Sequence, residues 1–275
     1  MKHILYTLLL IMLSVSCTTA DGDKRPSLAV TIEPYRFIVE AVAGNGWQVH
    51  SVVPSGASPE TFDPSPAHIM RLSGSKAYFL VGGIGFEERW SEKIAEVCPS
   101  LILSDTSEGI TRDEDDPHLW TSPGNCIVIA ENVCRELCRI DSANSTHYKE
   151  RLRGLVEVFA STDSLIAAKL DSCENRAFMI FHPSLTYFSK RYNLKQVVIE
   201  EHGKEPSAAH LKEIIDEARL LGVRKILLQS EFDKRHAESI AEEIGAEIIT
   251  INPLSYDWRE EMLRTAENIK TDLPE

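Results

Sequence analysis

The chain has 275 residues, 43% of them hydrophobic, six cysteines and a formal net charge of −13. That length suits one large domain or two lobes with separate cores. The acidic balance, without a clustered Lys/Arg face, argues against nucleic acid or an anionic lipid surface as partner and favours a small cation or a neutral ligand.

Lys2 precedes an apolar run from Ile4 to Leu13 that stops at Ser-Val-Ser-Cys. The run is too short to span a bilayer and reads as a secretory signal over residues 1–17. Cys17 reads as the lipid-attachment cysteine of a bacterial lipoprotein, anchored in the periplasm or at the cell surface. Ser14 stands three residues before it, where a leucine is usual. Residues 18–26 are polar and read as a tether. After Cys17 there remain Cys98, Cys126, Cys134, Cys138 and Cys173. An odd number in an oxidising compartment excludes a full disulfide framework. Cys134 and Cys138 fall four apart on an apparent helix, Asn125 to Arg139, and read as small half-buried core residues rather than a metal pair.

The first lobe, 27–144, alternates strand-like runs at Leu28 to Ile32, Gln48 to Val53, Ala77 to Val81 and Leu101 to Leu103 with helical stretches near Pro34 to Ala43, Ala67 to Leu72 and Phe86 to Val97. This is the β-α-β-α pattern of a parallel sheet covered by helices. From Ser145 to Cys173, apolar residues recur in helical steps of three and four (Tyr148, Leu152, Leu155, Phe159, Ile166, Leu170) without a proline. Such a helix would run ~40 Å at 1.5 Å per residue and would bridge two lobes stiffly. The second lobe, 174–275, repeats the alternation: strands at Ala177 to Phe181, Gln196 to Ile199, Lys225 to Gln229 and Glu247 to Ile251, helices near Leu185 to Tyr192, Ala208 to Leu221 and Lys234 to Ile244. The fold class is therefore α/β, two roughly four-stranded parallel lobes joined by one long helix.

Ligands of open α/β sheets gather at the C-terminal ends of the strands. Four segments sit there: the loop carrying Glu60, stiffened by four prolines from Pro54 to Pro66; Asp116-Pro117-His118; Phe181-His182-Pro183; and Asn252-Pro253-Leu254. Proline fixes φ, so little ordering entropy is lost when such a loop holds a side chain in place. Glu60 and His118 on one wall with His182 and Asn252 on the other make a donor set for a first-row transition metal; Zn²⁺ would accept the carboxylate and two imidazoles with a water or amide oxygen as fourth ligand. His50, His68, His147, His210 and His236 lie in strands or helices and read as structural or solvent-facing.

These residues stand in motifs that resemble the metal-receptor proteins of ABC importers for zinc and manganese. PSGASPETFDPSP is similar to the family's Pro-His-x-Tyr-Glu-Pro-Ser-Pro loop, DPHLWTSP to Asp-Pro-His-x-Trp-x-x-Pro, and FHPSLTYFSKRYNL to Phe-His-x-x-x-x-Tyr-Phe-x-x-x-Tyr-x-Leu. EPSAAHLKEII and the stretch FDKRHAESIAEEIGAEIITINPLSYDW continue the match over nearly the whole mature chain. The resemblance implies two α/β lobes bridged by a backbone helix, with a metal between them held by His118 and His182. It also implies a permease and its ATPase as partners, a monomeric receptor, and no enzymatic activity. Two positions depart from the family: Glu60 replaces its first histidine, and Asn252 an aspartate before Pro-Leu. The exchange is roughly charge-compensated and leaves Zn²⁺, Mn²⁺ or Fe²⁺ as candidates, zinc foremost.

Ser107 to Asp116, where zinc receptors of the family often carry a histidine-rich insertion, holds five acids and no histidine and reads as a solvated loop, with weak metal capture as the alternative. Glu200-Glu201-His202 is a second possible metal-binding spot, with exposed surface as the leading reading. A zinc hydrolase could use the same two histidines and glutamate, but no His-Glu-x-x-His helix or Gly-x-Ser-x-Gly elbow supplies its general base. A receptor for haem or a siderophore would need a broad aromatic or basic lining, where only Phe62, Trp120 and Tyr187 are at hand. An adhesin built on this fold would leave no signature in the sequence.

Overall fold

The computed structural model describes residues 25–113, 116–201 and 206–270. The expected leader, Cys17 and most of the tether lie outside them, as does His202.

The first sheet is built from β1 (Ser27–Val30), β2 (Gln48–Ser51), β3 (Ala77–Leu80) and β4 (Ile102–Asp105), parallel and ordered β2-β1-β3-β4. Leu28, Ala29 and Val30 are fully buried, as expected of a central parallel strand covered on both faces. Helices α1 (Glu33–Ala43), α2 (Pro66–Ser73) and α3 (Gly85–Val97) connect the strands, and α4 (Pro123–Ile140) leads out of the lobe. Prolines at the starts of α1, α2 and α4 occupy first-turn positions, where a missing N–H costs no hydrogen bond. The first three strands end one or two residues earlier than their apolar runs, because Ile32, Val52, Val53 and Val81 stay buried after strand pairing has stopped. The fourth is shifted toward Asp105.

The second sheet repeats this plan with β5 (Ala177–Ile180), β6 (Lys195–Val198), β7 (Lys225–Gln229) and β8 (Glu247–Ile251) in the order β6-β5-β7-β8. Its connecting helices are α6 (Thr186–Arg191), α7 (Ala208–Leu220) and α8 (Arg235–Ile244). Between the sheets runs α5 (Ser145–Asp171), 27 residues long. It buries Tyr148, Leu155, Phe159, Ile166 and Leu170 along one stripe, the residues that its periodicity marks.

One helix was not anticipated: α9 (Trp258–Ile269) returns from the second sheet and buries Trp258, Met262, Ala266 and Ile269. Trp258 packs edge-on against Phe159 of α5 at 4.9 Å between ring centroids. One hydrophobic core therefore runs from the first sheet, through α5 and α9, to the near face of the second sheet at Phe178 and Leu227. The far face of the second sheet has its own core around Met179, Val197, Ile226 and Ile240.

Polar bonds also cross between the lobes. Trp120 Nε1 donates to the Pro253 carbonyl at 2.8 Å, and Trp258 Nε1 donates to the Trp120 carbonyl at 2.7 Å. The Tyr187 hydroxyl donates to the Asp116 carbonyl at 2.8 Å, and the Tyr256 hydroxyl to Glu40 Oε2 at 2.7 Å. These bonds fix how the C-terminal ends of the two sheets face each other.

Candidate metal centre

Glu60 is held by its loop and by the start of α3. The Glu60 N–H donates to Ser58 Oγ at 3.3 Å, and Thr61 and Phe62 donate to the Ser58 carbonyl, which closes a tight turn. Arg89, on α3, donates from its guanidinium to the carbonyls of Glu60 (2.6 Å) and Phe62 (3.1 Å). Phe86 N–H donates to the Pro59 carbonyl at 2.9 Å, and Gly85 N–H to Glu60 Oε2 at 3.3 Å. The carboxylate therefore sits over a helix N-terminus, where the exposed N–H groups favour negative charge. Gly85 permits the approach: a Cβ there would stand 2.6 Å from Glu60 Oε2 and 3.0 Å from the Glu60 carbonyl oxygen. The turn before it rests on buried Glu87, which accepts N–H bonds from Val81, Gly82 and Gly83 and the Thr31 hydroxyl.

His118 follows the β4 loop and precedes a short turn, Leu119–Thr121. Its Nδ1 lies 2.7 Å from Asp116 Oδ1, which also accepts the His118 N–H at 2.8 Å. Burial opposes ionisation of Asp116, yet its bonds with His118 outweigh this and hold its pKa below the usual range. His182 follows β5, with Nδ1 2.9 Å from Glu200 Oε1 at the end of β6. Burial works against the charged imidazole of His182, but the bond and charge of Glu200, with Glu60 and Glu231 behind them, raise its pKa.

With each Nδ1–H given to a carboxylate, both rings turn Nε2 inward, and the two Nε2 atoms stand 3.2 Å apart. In neutral rings of this tautomer both atoms are lone-pair acceptors, so this approach calls for a positive charge between them. Glu60, His118 and His182 each bring one ligand atom within 4.8 Å of the others. Glu60 Oε1 is buried and has no hydrogen-bond partner among the described residues. A buried carboxylate oxygen without a donor is costly, and a cation would satisfy it. The enclosed space between these groups admits the centre of a water-sized sphere over only about 10 Å³, room for one ion or one water. It opens toward a wider hollow of about 370 Å³ edged by Asp113, Asp116 and Pro183.

The structure thus brings Glu60, His118 and His182 together, but Asn252 does not line the enclosed space, where Pro253 and Leu254 stand instead. The Asn252 N–H donates to Glu261 Oε1 at 2.7 Å, and its carbonyl accepts from Ser255 N–H at 2.9 Å. Glu200 is not exposed surface. Its side chain is 9% exposed because it is spent on His182. Two described acids of the acidic loop are engaged rather than solvated: Asp116 orients His118, and Asp113 pairs with Lys190 across the lobes. Sequence reasoning missed Glu231, which lines the same enclosed space from the end of β7. The strand-end rule that selected the other four segments applies equally to Gln229-Ser230-Glu231 and would have found it.

Residues 28–271 match the family model described as the zinc-uptake complex component A, periplasmic. The chain belongs to this family. Among solved structures it is similar to a deletion mutant of ZnuA with zinc bound, at 32% identity and a TM-score of 0.87, covering 91% of this chain and all of that one. Among characterised proteins it is 24% identical over 254 residues to the metal ABC transporter substrate-binding lipoprotein ScbA of Streptococcus cristatus, covering 86% of this chain and 82% of the relative. It is 25% identical over 272 residues to the iron ABC transporter substrate-binding lipoprotein MtsA of Streptococcus pyogenes, covering 90% and 87%. The fold expected from periodicity, two parallel four-stranded lobes around a long helix, is that of the ZnuA structures.

Proposed function

We propose that this ZnuA-family chain is the extracytoplasmic receptor of an ABC importer and captures one divalent transition ion, zinc foremost, between Glu60, His118 and His182. The observation that carries the reading is the facing pair of imidazole nitrogens. Two nitrogens bound to one tetrahedral Zn²⁺ at 2.0–2.1 Å lie roughly 3.3 Å apart, and here they stand 3.2 Å apart. The ion is cargo. It is coordinated reversibly, is not transformed, and passes to a permease driven by its ATPase. Family membership supports a receptor rather than an enzyme, and room for one ion leaves no place for haem or a siderophore.

Glu60, an oxygen donor where the resemblance sets a histidine, hardens the site and makes Mn²⁺ or Fe²⁺ the second reading. Lipid attachment at Cys17 belongs to the proposal as well, since the comparisons with lipoproteins support it and no helix among the described residues is long and apolar enough to cross a membrane.

Elemental analysis of protein purified without added metal, followed by calorimetric titration with Zn²⁺, Mn²⁺ and anaerobic Fe²⁺, tests the assignment. Glu60→Ala and His182→Ala should each weaken binding by more than about tenfold, since they remove donors rather than the outer partners that alone are worth that much. Unchanged affinity in both variants would discard the site.

A further inference from the structure

In the second sheet, β5 connects to β6 on one side while β7 connects to β8 on the other, so the chain reverses its direction of winding between the neighbouring strands β5 and β7. Ligands of open α/β sheets bind at the C-terminal ends of strands at such a point. β5 delivers His182 there, and β7 delivers Gln229-Ser230-Glu231-Phe232.

All of this turn except Ser230 faces the histidine site. The Gln229 amide donates to the His182 carbonyl at 2.5 Å and to Ser184 Oγ at 2.7 Å, and its oxygen accepts from His182 N–H at 3.3 Å. The Phe232 ring lies 5.7 Å from the imidazole of His182, inclined by 31°. Glu231, between them, borders the same enclosed space as Glu60 and both histidines. Its carboxyl accepts from Ser230 Oγ at 3.4 Å and from its own backbone N–H, both within the turn. Burial raises its pKa, while its own backbone N–H and then the charge of the His182 and His118 imidazoles act the other way.

Resting on the receptor reading, we infer that Glu231 supplies the second carboxylate of the metal centre, so that the ion is held by Glu60 and His118 from the first lobe and by His182 and Glu231 from the second. Placement and donor type decide in its favour over Asn252: Glu231 lines the enclosed space and Asn252 does not, and a carboxylate oxygen is a stronger ligand for a divalent ion than a neutral amide. Glu60, His118 and His182 form the tight group already within 4.8 Å of one another. Glu231 stands outside that group and reaches the ion by rotation of its side chain, which gives a donor that can also let go when the cargo is released.

Calorimetric titration with zinc of the wild-type protein, Glu60→Gln, Glu231→Gln and Asn252→Ala tests this. Glu231→Gln, which keeps the shape and removes the charge, should weaken zinc by about tenfold or more, as Glu60→Gln does, with Asn252→Ala unchanged. The cobalt-loaded protein should show an altered visible absorption band in Glu231→Gln, a change in the ion's own donors that loss of packing would not produce. Wild-type affinity and cobalt spectrum in Glu231→Gln, beside a weakened Glu60→Gln, would remove Glu231 and leave the receptor reading standing. A loss in Asn252→Ala equal to that in Glu60→Gln would put Asn252 in its place. A wild-type protein that binds none of zinc, manganese or ferrous iron would overturn both.

Discussion

Each imidazole at the centre is set by a carboxylate on its far nitrogen: Asp116 for His118 and Glu200 for His182. Such a partner fixes the tautomer, aims Nε2 and makes it a better donor. Asp116→Asn and Glu200→Gln keep the volume and remove the charge, and each should weaken zinc affinity by about 10- to 100-fold in calorimetry. Affinity equal to wild type in both would mean that the rings are aimed by packing alone. Only one partner was open to reading. Asp116 lies two residues from His118 in a motif, but Glu200 reaches His182 because β6 pairs with β5, so its role exists only once the sheet has formed. Away from the centre, His50 Nε2 is buried without a partner among the described residues, and its Nδ1 meets Ser27 Oγ at 3.3 Å. Burial, then the charge of Arg71, lowers its pKa to about 4. Between that value and about 6.5 the unfolded chain binds the proton and the folded chain does not, so stability falls as pH falls through this window and levels off below it. Allowing for solvent screening, the loss is on the order of 2 kcal/mol. Urea unfolding of wild type and His50→Gln at about pH 7 and pH 4.5 should show a smaller acid loss in the variant; equal losses would remove His50 as the cause.

Among the elements, α5 has the plainest record in the sequence, because a buried stripe along one long helix is written into the order of residues. Its end agrees with the periodicity to within two residues, Asp171 against Cys173. α9 carries an equally regular set, Trp258, Met262, Ala266 and Ile269, but its first turn holds Glu260 and Glu261 and its exposed face is polar, so the run reads as a charged tail until α5 is present to receive it. A helix stripe has meaning only with its partner surface, which explains why α5 was legible and α9 was not. The one glycine in α5, Gly154, tests how far this helix relies on packing. A Cβ there would meet nothing within 4 Å. Gly154→Ala should therefore stabilise the protein by about 0.5–1 kcal/mol, through lower unfolded-state entropy and better helix propensity, with zinc affinity unchanged. A destabilised variant in urea unfolding would show that the helix bends at Gly154 in a way that a side chain obstructs.

At the scale of the molecule, the question is whether the lobes unfold and respond to metal together. The core continuous from the first sheet through Phe159 and Trp258 to Phe178, and the bonds of Trp120 to Pro253 and of Trp258 to Trp120, cross the line between the lobes. Loss of either lobe would expose apolar surface and orphan donors on the other, so the two should melt as one unit even though each has its own sheet. The proposed metal centre would take donors from both lobes, and an ion bound there would stabilise only the joined state. Saturation at about 100 times the dissociation constant adds about 2.7 kcal/mol, which for a protein of this size raises Tm by roughly 5–10 °C. Calorimetry should record one transition that moves upward with zinc and returns on chelation. Two transitions, with zinc shifting only one, would show that the lobes are thermodynamically separate and that the ion is held by one of them. A single transition that shifts as a whole would instead place release of the ion in local motion of the ligand-bearing side chains and loops, because parting the lobes would have to break the core that joins them.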